Sequence, residues 1–214
     1  MKSIENNKLV EALNWRFAVN EFDTLKKVSE DDINTILESA RLAPSSFGIE
    51  PWKFVVVKNK EVREKLRAAG YDQPKITDAS HLVVITYRTD KENLSQELIK
   101  RKSLATGKVE SDLEGLKGMV DGTISSKSDD EFISWSKAQT YIPLGIMVET
   151  ASLLAVDSGP MEGFEPSKVD EILGLKEKNL SAATMIVFGY RGEDDGALVP
   201  KTRRPFDEAV EVVE

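Results

Sequence analysis

The sequence lacks cysteine, and it contains a single histidine, His81. Without cysteine there are no disulfide bonds, no thiolate nucleophile and no thiolate metal ligand. One histidine is too few for Ser-His-Asp, Cys-His or His-rich metal chemistry, so we predict no metal site. His81 begins a predicted strand with no partner motif around it, which favours a structural role over a catalytic one. A cofactor that brings its own reactivity would remove the need for such side chains.

The sequence also has fewer basic than acidic residues. It contains 29 lysines and arginines and 37 aspartates and glutamates, which gives a net charge of -8. Such a chain repels nucleic acids and acidic membranes, so we expect neither as a partner. A phosphate group can then be held only by a local cluster of basic side chains. This composition is most compatible with a protein that acts on soluble small molecules.

Long apolar runs are missing as well. The richest stretch, residues 130–157, is interrupted by charged and polar side chains and by Pro143, which argues against a membrane span. No apolar segment typical of a secretory signal follows Met1, so a cytoplasmic location is expected. The 214 residues, of which 40% are hydrophobic, suffice for one sizeable core, and we predict a single domain over residues 1–214.

The spacing of apolar residues predicts helices that alternate with short strands. The predicted helices are Ile4–Trp15, one from the cap Ser29 to Ala40, Glu61–Ala69 after the cap Asn59, one within 130–157 that is kinked or restarted near Pro143, and Pro166–Leu173. The predicted strands are Lys53–Val57, His81–Tyr87 and Ala183–Tyr190. This alternation indicates an α+β fold, a sheet covered by helices.

Residues 91–130 are highly charged, and glycines interrupt an otherwise helical periodicity there. We expect helices here, arranged around a mobile segment that extends from the rest of the fold. This segment is either a lid over a site or a solvated pair of peripheral helices, and the sequence leaves both possibilities open.

The stretch from Ala43 to Val57 organises the chain. Pro44 stops the preceding helix, while Ser45, Ser46 and Gly48 offer hydroxyls, backbone N–H groups and a residue tolerant of positive φ. An apolar run then anchors this polar turn to a sheet, which is typical of a binding loop on a rigid support. An ordinary helix-to-strand connection is the alternative.

Pro44-Ser45-Ser46 followed by Pro51-Trp52 resembles the signature of the FMN-dependent nitroreductase family. Three more segments resemble landmarks of that family: its opening arginine-containing segment, its central flavin loop and its C-terminal basic motif. They are Arg16 to Asp23, Pro160 to Phe164 and Pro200 to Pro205. Four landmarks in order, spread over most of the chain, argue against a chance match.

The resemblance implies a nitroreductase-like mixed sheet flanked by helices, in an intertwined homodimer with exchanged C-terminal tails. The tail after Pro205, with its strand-favouring valines, would cross to the partner. FMN is the implied cofactor and NAD(P)H the implied hydride donor. Each site would then need both subunits.

The resemblance also implies which residues contact FMN. Arg16, Lys201 and Arg203 match phosphate-contacting positions, whereas Arg204 is expected to be surface charge. Lys75 and Gln73 match the pyrimidine edge of the flavin, where a cation stabilises negative charge on the reduced ring. The remaining positions are Ala18 and Asn20 in the opening segment, Pro44, Ser45, Ser46 and Gly48 reaching from the other subunit, and Pro160, Met161, Glu162 and Gly163 beside the flavin N5, with an auxiliary role for the Glu162 side chain.

Several positions depart from the family pattern. Ala18 and Asn20 stand where many relatives have serine and lysine, and Gly48 and Glu50 where many have asparagine and glutamine. Two polar contacts and one positive charge are therefore missing from the expected set. Glu50 either disfavours anionic acceptors and the phosphate of NADPH, or it is a surface residue. Asp72 matches the family's asparagine only within one residue of register.

The implied activity is an FMN-dependent transfer of hydride from NAD(P)H to a nitroaromatic, a quinone or a similar acceptor, by a ping-pong mechanism. The alternatives are a flavin or dihydropteridine reductase on the same scaffold, a non-catalytic flavin-binding protein, and an unrelated acidic interaction protein. No GxGxxG fingerprint follows a predicted strand, so a Rossmann nicotinamide site has no support.

Overall fold

The chain is built around a four-stranded sheet, in a computed structural model that describes residues 4–193 and 199–214. The strands are Trp52–Val56 (β1), His81–Arg88 (β2), Asp157–Met161 (β3) and Leu180–Gly189 (β4), in the order β1-β2-β4-β3. All three neighbouring pairs are antiparallel. The predicted α+β class is confirmed. Parallel pairing within the described residues is limited to an isolated bridge between Ala18 and Ser158.

Helices flank this sheet, and several begin at the predicted capping residues. Ser29 Oγ accepts from the Asp32 N–H at 3.0 Å, and Asn59 Oδ1 accepts from the Val62 N–H at 3.1 Å, so each cap satisfies an N–H that has no partner in the helix. The helices of the described residues are Asn6–Trp15 (α1), Glu30–Arg41 (α2), Lys60–Ala69 (α3), Lys75–Asp78 (α4), Leu94–Thr106 (α5), Glu114–Ser125 (α6), Asp129–Gln139 (α7), Tyr141–Leu153 (α8), Pro166–Leu173 (α9) and Phe206–Ala209 (α10).

The two faces of the sheet carry separate layers of core, because successive side chains of a strand point to opposite faces. Leu82 and Val84 of β2 pack in the cluster that α3, α4 and α9 cover. Val83 and Ile85 pack in the cluster that α2 and α8 cover. All four side chains are fully buried. The sheet is therefore a rigid support.

A third cluster joins the organising loop to the segment 91–130. Phe47 and Ile49 of the loop pack with side chains of α5, α6 and α7. The predicted helical character of this segment is confirmed by α5, α6 and a short 3-10 turn at Glu110–Leu113. Its role as a lid stays a prediction.

Among the four strands, β3 was not predicted from the sequence. The predicted loop over Pro160 to Phe164 is wrong for its first two residues, because Pro160 and Met161 pair with Ile186 and Met185 of β4. The strand contains glycine and proline and has low strand propensity. It forms at the edge of the sheet, where proline is tolerated, so its pairing with β4 overrides local preference.

The long helix predicted within 130–157 is two helices. It breaks at Thr140, between α7 and α8, and Pro143 lies in the first turn of α8, where its missing N–H costs no helical bond. The predicted restart near Pro143 is thus confirmed within a few residues. The helical part of 130–157 ends at Leu153, and Asp157 opens β3.

The C-terminal tail differs from the strand-like segment that its valines suggest. Phe206–Ala209 forms the short helix α10, and residues 210–214 have no regular structure. Phe206, Val212 and Val213 are 79%, 77% and 89% exposed. A strand needs an edge to pair with, and valine propensity alone does not supply one.

The described helices were also compared with the dimensions of a bilayer. None of them, within residues 4–193 and 199–214, combines the length and the apolar character needed for a transmembrane helix.

Candidate functional site

A cluster of basic side chains forms where α1 ends and the C-terminal segment passes. Arg16 is the residue that ends α1. Lys201 Nζ donates to the carbonyl oxygens of Leu13 at 2.9 Å and Asn14 at 2.5 Å. The last carbonyls of a helix attract cations because they lack partners in the helix. Lys201 therefore ties the C-terminal segment to α1 and brings Arg203 to Arg16.

The charges of this cluster lie close enough to perturb one another. Burial lowers the pKa of Arg16, and Arg203 lowers it further. Burial also lowers the pKa of Lys201, with additional effects from Arg16, Arg203 and Arg191. Within the described residues, the buried Nε of Arg16 has no hydrogen-bond partner. A buried donor without an acceptor is unfavourable, so the cluster is suited to receive an anion.

A fourth cation, Arg191, stands beside the cluster but is paired with Asp157. The Arg191 backbone N–H donates to Asp157 Oδ2 at 2.9 Å and its Nε to Oδ1 at 2.9 Å, and Nη2 contacts the same carboxylate. The guanidinium carbon lies 4.6 Å from the ring centroid of Trp15. This pairing fastens the start of β3 to the end of α1.

The segment that follows α1 runs along β3. Ala18 forms the parallel bridge with Ser158, and the Val19 N–H donates to the Ser158 carbonyl at 3.1 Å. Gly159 permits this approach, because a Cβ at that position would lie 2.6 Å from the Val19 carbonyl oxygen. Asn20 is thereby placed beside β3.

Lys75 is a buried lysine directed at this segment. The residue is 7% exposed, and its Nζ donates to Asn20 Oδ1 at 2.9 Å. An ideal Cβ on Gly159 would lie 3.7 Å from Lys75 Cδ, so the lysine stem passes over β3. A buried ammonium requires hydrogen-bond acceptors, which Asn20 provides in part. The structure brings together two predicted site residues that are 55 positions apart.

Gln73 holds the loop that follows β3. Its Nε2 donates to the Gly163 carbonyl at 2.7 Å and to the Gly70 carbonyl at 2.9 Å. These two bonds use both N–H groups of the Gln73 side-chain amide. Gln73 therefore positions the loop from Glu162 to Glu165, a role that the sequence analysis does not assign to it.

Glu162 opens this loop and is held from the other side by Tyr141, the first residue of α8. The Tyr141 hydroxyl donates a short hydrogen bond to Glu162 Oε1. Partial burial raises the pKa of Tyr141 to about 12, and the hydrogen bond and the charge of Glu162 act in the same direction. Both residues are exposed enough to meet a ligand. No motif in the sequence indicates Tyr141.

The organising loop, within Ala43 to Val57, is held by a different set of contacts. The Ser46 N–H donates to Gln139 Oε1 at 2.8 Å, and Ser45 Oγ accepts from the Glu50 N–H at 2.8 Å. Gly48 adopts a φ of +76°, as its residue type allows, and Arg101 Nη2 donates to its carbonyl at 3.2 Å. These contacts fix the loop against α5 and α7.

The structure thus connects most of the predicted site residues through a continuous set of contacts. The connected residues are Arg16, Ala18, Asn20, Gln73, Lys75, Pro160, Met161, Glu162, Gly163, Lys201 and Arg203. The contacts of Ser45, Ser46 and Gly48 are instead made with α5, α7 and their own loop, which Pro44 opens. The sequence analysis misses Tyr141, Arg191 and Asp157, because only the pairing of β3 with β4 and the start of α8 bring them to the site.

A fold of this kind, with a buried lysine and a basic cluster around one edge strand, was compared with known proteins. The sequence model of the nitroreductase family matches residues 13–190. A Staphylococcus epidermidis protein with the provisional name NAD(P)H nitroreductase is 40% identical in an alignment 209 positions long, which covers 88% of this chain and 90% of that protein. The chain therefore belongs to the nitroreductase family, and it is an oxidoreductase.

Solved structures agree with this assignment at the level of the fold. A provisionally named nitroreductase of Bacillus subtilis superposes with a TM-score of 0.86 at 19% identity, over 98% of this chain and 100% of that one. A provisionally named nitroreductase of Exiguobacterium sibiricum, solved in complex with FMN, gives a TM-score of 0.80 at 18% identity, over 100% and 99% of the two chains. The predicted family and its fold are confirmed.

Proposed function

We propose that this oxidoreductase binds FMN, takes hydride from NAD(P)H and reduces a nitroaromatic, a quinone or a similar acceptor. The observation that carries the proposal is the buried Nε of Arg16, which has no acceptor among the described residues and lies in a cluster with Lys201 and Arg203. A phosphate group supplies both the acceptor atoms and the negative charge that this cluster needs.

The remaining residues fit a planar ring beside that phosphate. Ala18 and Asn20 follow Arg16 directly, and Lys75 and the loop from Glu162 lie next to them. The residues that would hold FMN are therefore Arg16, Lys201 and Arg203 at the phosphate, with Ala18, Asn20, Lys75, Pro160, Met161 and Gly163 at the ring. FMN, when bound, supplies a flavin ring that accepts and donates hydride.

The chain contributes orientation and charge to this chemistry. Lys75 brings a positive charge that is already desolvated, so it can stabilise negative charge without reorganising solvent. Gln73 fixes the Gly163 carbonyl, and Tyr141 fixes the Glu162 carboxylate, so the loop over the site is held at both sides. One shared pocket implies that oxidised nicotinamide leaves before the acceptor enters, which is a ping-pong cycle.

The proposal includes a homodimer, in which Pro44, Ser45, Ser46 and Gly48 complete the site of the partner. Two observations support it: the organising loop is held by α5 and α7 and not by the residues of the basic cluster, and the tail after Pro205 exposes Phe206 and three valines. Exposed apolar side chains of this size favour an interface. Light scattering is expected to give twice the chain mass, and a monomer that binds FMN and turns over would contradict the dimer.

Steady-state kinetics test the activity. We expect turnover with NADH or NADPH and with nitroaromatic or quinone acceptors, and parallel double-reciprocal lines when the two substrates are varied together. A flavin or dihydropteridine reductase would prefer free flavin or a pterin within the same acceptor panel. Absence of turnover with every acceptor, in protein that carries flavin, would favour a flavin-binding protein without catalytic function.

A further inference from the structure

A second basic region lies outside the proposed flavin site, in a cavity of about 440 Å³ at the end of the sheet where β1 stops and β2 begins. None of the residues assigned above to FMN lines it. We call it the basic pocket, and its lining residues are Lys27, Lys58, Lys60, Arg63, Glu64, Arg67, Thr77, Asp78, Ala79 and Ser80. Five cations and two carboxylates thus face one cavity, although the whole chain has 29 basic and 37 acidic residues.

The central cation of the pocket is Arg63, which is only 8% exposed. Its guanidinium donates to three carbonyl oxygens, those of Ile76 at 2.7 Å, Ala79 at 2.6 Å and Ser80 at 3.3 Å. These bonds satisfy three of its N–H groups but bring no negative charge. Burial lowers the pKa of Arg63, and the carboxylate of Asp78, which also lines the pocket, raises it only in part. A buried charge is costly unless an opposite charge compensates it, and an anion in the adjoining cavity would add to the partial compensation from Asp78.

The positive field of the pocket is also visible at its neighbour His81. Burial is the main reason that the pKa of His81 is lowered, and Lys58, Arg63 and Lys27 lower it further against the opposing effect of Glu30. Two carboxylates that do not line the pocket pair with its cations: Glu30 with Lys58 at 3.2 Å, and Asp72 with Arg67 at 2.7 Å. Glu30 and Asp72 are exposed, with side chains 68% and 81% accessible, so water screens both pairs.

We propose that the basic pocket binds a small molecule that carries a multiply charged phosphate group, separately from the flavin site. The cations come from three places in the chain, the segment before α2, the start of α3 after β1, and the body of α3, and they converge on one cavity. A compact phosphate group can meet several such cations at once, whereas a carboxylate offers one charge. Thr77 and Ser80 add hydroxyl groups to the lining. The volume falls within the range of small-molecule sites.

Pyrophosphate, titrated calorimetrically with FMN present in excess and at constant ionic strength, is a suitable probe. We expect the wild-type protein to bind it, and the double variant Lys27→Gln, Lys60→Gln to bind at least about tenfold more weakly. The matched control is Lys65→Gln, Lys102→Gln, which removes the same charge from exposed positions outside the pocket. The variant Arg203→Ala reports on the cluster at Arg16.

These variants distinguish binding in the basic pocket from binding at the Arg16 cluster. Affinity that falls in the pocket variant, and stays within about twofold in the control and in Arg203→Ala, supports the proposal. Failure of the wild-type protein to bind pyrophosphate at millimolar concentration would overturn it, and so would an equal loss in the control variant. Binding that disappears in Arg203→Ala would assign the anion to the other cluster. Citrate that binds more tightly than pyrophosphate would contradict the phosphate assignment. The proposal does not depend on the proposed function.

Discussion

At the scale of single residues, Arg203 and its neighbour Arg204 provide a direct test of the basic cluster. Both are exposed and lie in the same short segment, but only Arg203 perturbs the pKa values of Arg16 and Lys201. Arg203→Ala is expected to weaken FMN binding by roughly 10- to 150-fold, because a hydrogen bond to a charged group contributes about 1.5 to 3 kcal/mol. Arg204→Ala should leave it within about twofold.

FMN titration of the two apoproteins measures this difference. Activity of Arg203→Ala should largely return when excess FMN is supplied, because the ring contacts remain. Equal affinities of the two variants would show that Arg203 is surface charge and that the phosphate lies elsewhere.

Tyr141 gives a prediction about pH. Its pKa is raised to about 12, so the folded state retains this proton at pH values where an unfolded tyrosine, near pH 10, has lost it. Burial is the main cause of this raised pKa and the hydrogen bond to Glu162 adds to it, so the stability they provide is present below about pH 10 and is lost as the pH rises towards about 12. The melting temperature of Tyr141→Phe should be lower than that of the wild-type protein at pH 8 and approach it above pH 11.

Thermal unfolding of the wild-type protein and of Tyr141→Phe from pH 8 to above pH 11 tests the contact of Tyr141 with Glu162. A difference in melting temperature that is independent of pH would mean that Tyr141 stabilises the protein through packing alone. Ultraviolet titration provides a second readout, since the wild-type protein should retain one tyrosine that ionises late and the variant should not.

At the scale of elements, the critical contact is between β3 and the segment after α1. A Cβ on Gly159 would lie 2.6 Å from the Val19 carbonyl oxygen and 3.0 Å from Val187 Cγ2, so backbone must move to admit it. Gly159→Ala is expected to destabilise the protein by about 1–3 kcal/mol, the usual cost of overpacking. It should also weaken FMN binding, because Ala18, Asn20 and Lys75 depend on this contact.

Gly118 is the matched control, an exposed glycine inside α6 with open space around its Cβ position. Gly118→Ala is expected to stabilise the protein by about 0.5–1 kcal/mol, since alanine favours helix over glycine. Urea unfolding of both variants measures whether the free energy of unfolding falls in Gly159→Ala and rises in Gly118→Ala. A neutral Gly159→Ala would contradict the close approach of the two segments.

The elements also show what the sequence could and could not predict. Helix α2 and helix α3 were predictable because Ser29 and Asn59 provide local capping signals, and β2 was predictable because its residues are apolar and β-branched. Strand β3 was not, because Gly159 and Pro160 disfavour strands and only tertiary pairing forms it.

The same distinction holds for the site. Arg16, Lys75, Lys201 and Arg203 were found through resemblance to a family, since no local periodicity marks a cation that binds phosphate. Tyr141 was missed because its partner Glu162 is 21 positions away and no motif connects the two. Long-range contacts, which depend on the order of strands in the sheet, place such residues.

At the scale of the whole molecule, an acidic chain holds two local concentrations of positive charge. One is the cluster of Arg16, Lys201 and Arg203, and the other is the basic pocket around Arg63. In a chain of net charge -8, each can attract an anion only at short range, because the overall field repels it. Binding at both sites should therefore weaken as ionic strength rises.

The central claim is that this oxidoreductase works through bound FMN and a nicotinamide donor. Its most direct test is anaerobic titration of the FMN-loaded protein with NADH and with NADPH, followed through the visible absorbance of the flavin. We expect at least one nicotinamide to bleach this absorbance in stoichiometric amounts and an added nitroaromatic or quinone to restore it. A protein that takes up no FMN, or whose flavin stays yellow with both nicotinamides, would contradict it.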